Sequence, residues 1–184
     1  MVQIPVTVPE SLSFEQAIEQ TQNLIAARRQ QTIHAQAFAQ GVQALVQSEN
    51  GARGFFVTYL TLEDDWADQP DEWLIQALAH SPEIVSELLV KNLAMSTAMA
   101  ITHRRNQDEA AAQGSDRVQR RTQALMQQLN WPQIAHKAQE LYRNAAGEPG
   151  PYSDFLERWG YDAEQKQAIQ RVLEPWVGAP ASDG

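Results

Sequence analysis

The stretch from Ser81 to Arg105, SPEIVSELLVKNLAMSTAMAITHRR, predicts a long helix around which the fold is built. Ser81 suits the N-cap, because its side-chain oxygen can accept a hydrogen bond from a free N–H group of the first turn. Pro82 suits the first helical position, where the N–H that proline lacks would have no partner within the helix. The sequence therefore predicts a helix over residues 82–105.

This predicted helix is apolar around most of its circumference. Between Asn92 and Thr102 it carries no charged residue. Such a helix is typical of the centre of a bundle or of a membrane span. A span needs about 20 mainly apolar residues, and Glu87, Lys91 and Asn92 interrupt this stretch. We therefore expect the central helix of an all-α, single-domain bundle of about six or seven helices, with no membrane partner.

Polar side chains on the same helix allow a second interpretation. Asn92, Ser96 and His103 could line a small-molecule or metal pocket between helices, where ligand pockets are common. The alanines among residues 94–100 instead favour close approach of the neighbouring helices. Close packing is the favoured interpretation, because a ligand pocket needs several converging polar groups.

The composition bounds the class of protein. The 184 residues are enough for one domain with a sizeable core. There is no cysteine, which excludes disulfides, thiolate metal sites and cysteine nucleophiles. The N-terminal stretch MVQIPVTVPE lacks the basic and apolar regions of a secretory signal, so we expect a cytoplasmic protein. A formal net charge of −9 opposes binding to nucleic acid and to anionic membranes.

The chain divides into segments of different character. Near the N-terminus apolar residues alternate, but Pro5 and Pro9 exclude a central strand and leave an extended arm. Glycine and proline between Gly147 and Pro151 mark the clearest break in the chain. Beyond it, Asp162 and Gln165 have the spacing of a capping pair for a last helix. The predicted segments are an extended N-terminal arm (1–12), a helical bundle (13–146), a C-terminal aromatic helical segment packed on the bundle (147–177) and a disordered tail (178–184).

Residues 13–48 carry a helical pattern of unusual length. Ser13 and Gln16 form the S-x-x-Q pattern of a capping box, and Asn50-Gly51 provides a suitable stop. The segment is either one long helix or two, with a break near Arg28–Thr32 or at Gly41. Its apolar seam is thin, so we expect part of its burial to come from a protein partner, and self-association through residues 13–48 is the simplest form.

Residues 54–62 are short and apolar, so their period alone does not distinguish a helix from a strand. We interpret them as helical, because no second strand is evident to pair with them. The preceding Gly51-Ala-Arg-Gly54 is interpreted as a corner between helices. Leu62 to Asp71, LEDDWADQPD, forms an acidic loop, and no lysine or arginine occurs between residues 55 and 90. It lacks the ligand spacing of a calcium loop, which favours a solvated acidic surface.

A basic cluster follows the central helix. Ser115 is the expected N-cap of the next helix, and Asp116 and Arg120 are spaced to pair across one turn. The alternative is that the cluster contacts an anion, RNA or an acidic protein surface, although no aromatic residues interleave to stack on bases. Its members hold more than a third of the basic residues of the chain and are Arg104, Arg105, Arg117, Arg120 and Arg121.

No catalytic signature is present. The four histidines are dispersed without an H-E-x-x-H pattern, and the common nucleophile, phosphate and dinucleotide motifs are absent. We therefore predict no catalytic residues, no metal ligands and no cofactor. The predicted function is that of a non-enzymatic helical protein–protein interaction module: an assembly factor, adaptor or regulator. The alternatives are a nucleic-acid-associated regulator that uses the five arginines, and a protein that binds a ligand near Asn92.

Overall fold

The computed structural model describes residues 12–178, and helices are the only regular secondary structure in this range. The prediction of an all-α fold is therefore confirmed. The predicted arm and tail lie outside the described residues, except for Leu12 and Gly178. The nine α-helices within the described range exceed the predicted six or seven and are α1 (Phe14–Arg29), α2 (Ala35–Val46), α3 (Glu49–Leu60), α4 (Glu72–Leu78), α5 (Pro82–Arg105), α6 (Glu109–Leu129), α7 (Pro132–Ala145), α8 (Ser153–Trp159) and α9 (Ala163–Leu173).

The long helix α5 begins at Pro82 and ends at Arg105, as predicted. No residue from Ile84 to His103 is exposed, so the prediction of a helix buried on most sides is confirmed. By length and composition α5 is also apolar enough to cross a membrane. More than half of its most apolar 18-residue window is buried within the protein. The core helix of a soluble protein can have the same length and composition as a membrane span.

The described residues fall into two compact units that divide between Leu88 and Leu89, inside α5. The N-terminal unit contains α1 to α4 and a short 3₁₀ helix, Asp65–Ala67. The C-terminal unit contains α6 to α9 and a second 3₁₀ helix, Glu174–Trp176. The predicted segment limits near residue 146 stay predictions.

In the N-terminal unit, residues 13–48 form two helices. The break between them lies near Arg28–Thr32, the first of the two predicted places. The predicted capping box is present: Gln16 N–H donates to Ser13 Oγ at 3.2 Å, and Ser13 N–H donates to Gln16 Oε1 at 2.9 Å. The chain then turns after Arg29, where Gln31 adopts a left-handed conformation with φ of 57°. This conformation cannot continue a right-handed helix.

The interpretation of the first glycines is wrong. Gly51 and Gly54 lie inside α3, whose N-cap is Ser48: its Oγ accepts from Gly51 N–H at 3.1 Å. Gly54 allows close packing between helices, whereas a Cβ at Gly51 would meet the carbonyl of Leu45 at the end of α2. A Cβ at Gly54 would lie 2.9 Å from the backbone of Ala17 and of Ile18 in α1. Accordingly, α1 packs more extensively against α3 than against α2.

In the C-terminal unit, α7 packs against α8, α9 and the second 3₁₀ helix. The buried side chain of Asn144 fixes the turn that follows α7. Its amide donates to the carbonyl of Glu148 at 3.1 Å, and its oxygen accepts from Tyr152 N–H at 2.8 Å. This amide therefore satisfies one backbone group within the glycine- and proline-rich break and one directly after it.

The prediction that Ser115 begins a helix is wrong. The N-cap of α6 is Asp108, whose side chain accepts from Ala111 N–H at 3.0 Å. The alanines that follow are strong helix formers, so Gly114 and Ser115 fall inside α6.

Replacing Gly54 with alanine tests the close approach of α1 and α3. The added methyl group would meet helix backbone, which cannot move aside as a flexible side chain can. Overpacking of this kind costs about 1–3 kcal/mol, which exceeds the roughly 1 kcal/mol that alanine gains over glycine inside a helix. We expect urea denaturation to show a lower free energy of unfolding for Gly54→Ala.

The matched control is Gly114→Ala. Gly114 also lies inside a helix, but the nearest neighbour of an added Cβ is the end of the Arg117 side chain at 3.9 Å. This substitution should stabilise the protein by about 0.5–1 kcal/mol, because alanine loses less backbone entropy on folding. Equal effects of the two substitutions would contradict the packing described for Gly54.

Candidate functional site

Arg104, the first arginine of the predicted cluster, binds carboxylates of α6. Its guanidinium donates to both oxygens of Asp116 and to Glu109 at 3.4 Å. Hydrogen bonding to Asp116 is the main cause that raises the pKa of Arg104. Asp116 therefore pairs with Arg104, and within the described residues the predicted pair with Arg120 does not form.

Arg105, the next residue, reaches a different helix. Its guanidinium donates to Asp162, the N-cap of α9, and to Glu164 in the first turn of α9. Hydrogen bonding to Arg105, followed by the hydrogen bond from Gln165 N–H, lowers the pKa of Asp162. An arginine at the end of one helix and carboxylates at the start of another are each favoured by the helix dipoles. The pair therefore joins the C-terminal end of α5 to the N-terminal end of α9.

The three arginines of α6 differ in exposure. Arg121 is buried, Arg117 is half-buried and Arg120 is exposed. The five predicted residues are thus divided between an ion-paired helix end and one side of α6, where their exposure differs. In the described part of the chain, Arg120 is the only one of the five that is both exposed and outside an ion pair. Nucleic-acid contact through this cluster stays a prediction.

The predicted pocket residues lie on one face of α5 but far apart along it. Asn92 and Ser96 are one turn apart, while His103 is roughly 17 Å from Asn92 at 1.5 Å per residue. The Ser96 hydroxyl donates to the carbonyl of Asn92 at 2.7 Å, so its proton is used within the helix. A small ligand could contact Asn92 and Ser96 together, but not all three residues.

Sequence reasoning did not predict the buried hydrogen bonds that form a polar joint between α5 and α9. The Gln165 side chain is 6% exposed. It donates to the carbonyl of Ala98 at 3.0 Å and to Thr102 Oγ1 at 2.9 Å. Its oxygen accepts from Asp162 N–H at 3.1 Å, which completes the predicted capping box. The cap was visible in the spacing, whereas the second role of the amide depends on a contact between residues far apart in the chain.

The aromatic segment beside this joint packs on α5. The Lys91 ammonium lies 5.8 Å from the ring centroids of both Tyr152 and Phe155. The ring of Tyr161 contacts Phe155 edge-on, with centroids 6.2 Å apart. The Tyr161 hydroxyl is buried without a hydrogen-bond partner among residues 12–178, and burial raises its pKa. These rings fill the core of the C-terminal unit.

The N-terminal unit carries a groove that exposes an apolar side chain. A groove of about 370 Å³ lies between α1 and the C-terminal half of α3. Val57 lines it with 41% of its surface exposed, which is high for a large apolar side chain. The groove is lined by Ile18, Gln22, Val57, Thr58, Thr61, Leu62 and Glu63.

Acidic residues follow the groove. Asp64 caps the first 3₁₀ helix, accepting from Trp66 N–H at 3.1 Å, and forms an ion pair with Arg29. Asp71 caps α4, accepting from Leu74 N–H at 2.9 Å. Across the described residues, no three histidine, aspartate or glutamate side chains converge to hold a metal ion. The carboxylates of this loop therefore include helix caps and an ion-pair partner.

The fold and these surfaces define an all-helical protein with an acidic loop, an apolar groove and ion-paired helix ends. The chain belongs to the family described as "Uncharacterised conserved protein UCP020893", whose family model matches residues 13–176. Comparison with curated proteins and with solved structures gave no match.

The ion pair at Asp162 makes stability depend on pH. A carboxylate whose pKa is lowered in the folded state stabilises that state above its unfolded pKa, about 3.9 for aspartate. The stabilisation is lost as the pH falls through the lower, folded value. Asp162→Asn keeps a side chain that can cap α9 but removes the charge. We expect thermal melts of the variant to lose less stability than the wild type between pH 6 and pH 3.

The control for this experiment is Asp154→Asn, in the first turn of α8. Asp154 is an exposed aspartate in the same unit and near the start of a helix, but it does not bind Arg105. The stability of the Asp154→Asn variant should change with pH as that of the wild type does. Identical acid profiles for Asp162→Asn and the wild type would show that the pair with Arg105 contributes nothing to stability.

Proposed function

We propose that the protein is a non-enzymatic helical interaction module that binds a partner protein through the groove between α1 and α3. Such a module would act as an assembly factor, adaptor or regulator. The observation that carries the proposal is the exposed Val57 within a groove of about 370 Å³. Helix grooves of this kind accept the apolar side chains of an amphipathic helix from a partner.

The groove is less polar than its composition suggests. The hydroxyl of Thr58 donates to the carbonyl of Gly54 at 2.9 Å, and that of Thr61 donates to Val57 at 2.6 Å. Both hydroxyl protons are therefore used within α3. An apolar side chain that enters the groove would therefore leave neither hydroxyl without a hydrogen-bond acceptor. This chemistry supports an aliphatic or aromatic anchor as the occupant.

The charges around the groove favour a basic partner segment. Glu63 lines the groove, and exposed Asp65 and Glu72 lie further along a stretch that contains no lysine or arginine from residue 55 to residue 90. A helix with lysine or arginine beside its apolar anchors would complement this surface. Electrostatic complementarity of this kind speeds association and selects the partner.

The other candidates have less support. Self-association through residues 13–48 would use Ile18 and Gln22, but two copies with a formal charge of −9 each would repel. The apolar seam of α1 is already buried, largely by α3. The seam therefore does not need a second copy of the chain to cover it. Nucleic-acid contact would have to displace the carboxylates that bind Arg104 and Arg105. A cytoplasmic location, consistent with the absence of cysteine, is part of the proposal.

Val57→Glu tests the groove directly. Because Val57 is exposed, the substitution should leave the fold intact, while a charge inside an apolar contact should weaken partner binding about tenfold or more. The measurement is affinity capture from native lysate, with the captured protein identified and then titrated against the purified variants. We expect capture by the wild type to decrease as salt is raised, because the complementary charges are exposed.

The matched control is Trp159→Glu, which places the same charge on an exposed apolar residue of the C-terminal unit. It should capture the partner as the wild type does. Equal capture by Val57→Glu, or no partner at any salt concentration, would contradict the proposal. A purified wild type that forms a dimer, together with a monomeric Val57→Glu variant, would identify a second copy as the occupant instead.

A further inference from the structure

The N-terminal unit contains a second cavity that shares no lining residue with the groove. Its volume is about 80 Å³. This space is large enough for several water molecules or for a small polar ligand. It is lined by Arg28, Phe38, Tyr59, Trp66, Gln69, Asp71 and Leu74.

Three aromatic rings form the apolar wall of this cavity. The ring of Trp66 meets Phe38 edge-on with centroids 5.7 Å apart, and meets Tyr59 with centroids 5.9 Å apart. Phe38 and Tyr59 are buried, and the Tyr59 hydroxyl donates to the carbonyl of Ala67 at 3.4 Å. The wall is therefore held in place without an occupant.

Two opposite charges line the same cavity without pairing. The half-buried guanidinium of Arg28 has no hydrogen bond or ion pair with any residue in the range 12–178. The Asp71 carboxylate accepts from Leu74 N–H at 2.9 Å, but it forms no ion pair in that range. The adjacent Arg29 differs, because it pairs with Asp64 and lies 5.5 Å from the centre of the Trp66 ring.

We propose that this cavity binds a small zwitterionic amino acid of the size of glycine or alanine. The carboxylate of the ligand would pair with Arg28, and its ammonium with the free oxygen of Asp71. Gln69 supplies an amide that can donate to or accept from either group. The small side chain would lie against the aromatic wall. A simple anion would leave Asp71 unpaired, and a simple cation would leave Arg28 unpaired.

Isothermal titration of the full chain with glycine and with L-alanine tests the proposal. Acetate and methylammonium are the comparison probes, because each carries only one of the two charges. Trimethylglycine has both charges but no N–H and a bulky head, so it controls for general stabilisation by osmolytes. We expect saturable binding of glycine or L-alanine, with a matching rise in melting temperature. The three comparison probes should bind at least about tenfold more weakly, since each loses a charged hydrogen bond or does not fit.

Two variants and a control assign the binding to the cavity. Arg28→Gln and Asp71→Asn should each weaken binding about tenfold or more, and asparagine at position 71 retains a side chain that can cap α4. Arg53→Gln, which removes an exposed arginine of the same unit that does not line the cavity, should bind as the wild type does. Absence of saturable binding, equal binding of acetate or trimethylglycine, or unchanged binding by Arg28→Gln would each overturn the proposal. The result does not depend on the groove, which Val57→Glu tests separately.

Discussion

The burial of α5 is the constraint on which the rest of the structure depends. From Ile84 to His103 the helix exposes no residue, so other parts of the chain must cover its surface. A helix with a polar face could lie on the outside of a smaller fold, but this one cannot without leaving apolar surface in water.

Two helix starts were predictable from the spacing of their capping residues. Ser13 with Gln16 and Asp162 with Gln165 were identified from spacing alone, because the capping hydrogen bonds are local. Glycine was the source of the main errors. Gly51 and Gly54 occur in a pattern that also marks a turn, and only the approach of α1 shows that Gly54 allows close packing. The sequence shows where glycine occurs, but whether a glycine allows a turn or close packing depends on the residues that surround it in the folded protein.

The functional surfaces were predictable only in part. The composition identified the arginines and the acidic loop as unusual, but not the partners that Arg104 and Arg105 find within the protein. Those partners lie as many as 59 positions away in the chain. The groove at Val57 gave no signal, since a valine in an apolar segment is normally a core residue. Unpaired charge and exposed apolar surface are properties of the folded chain, so the sequence alone does not predict them.

The division between the two units falls inside α5, and this limits how the protein can be dissected. A fragment that stops at Leu88 would keep only the first turns of the helix, and a complementary fragment starting at Leu89 would begin in mid-helix without Ser81 and Pro82. The initial N–H groups of such a fragment would have no cap. Proteolysis should accordingly favour the connections outside α5, and a fragment intended to preserve the C-terminal unit should start at Ser81.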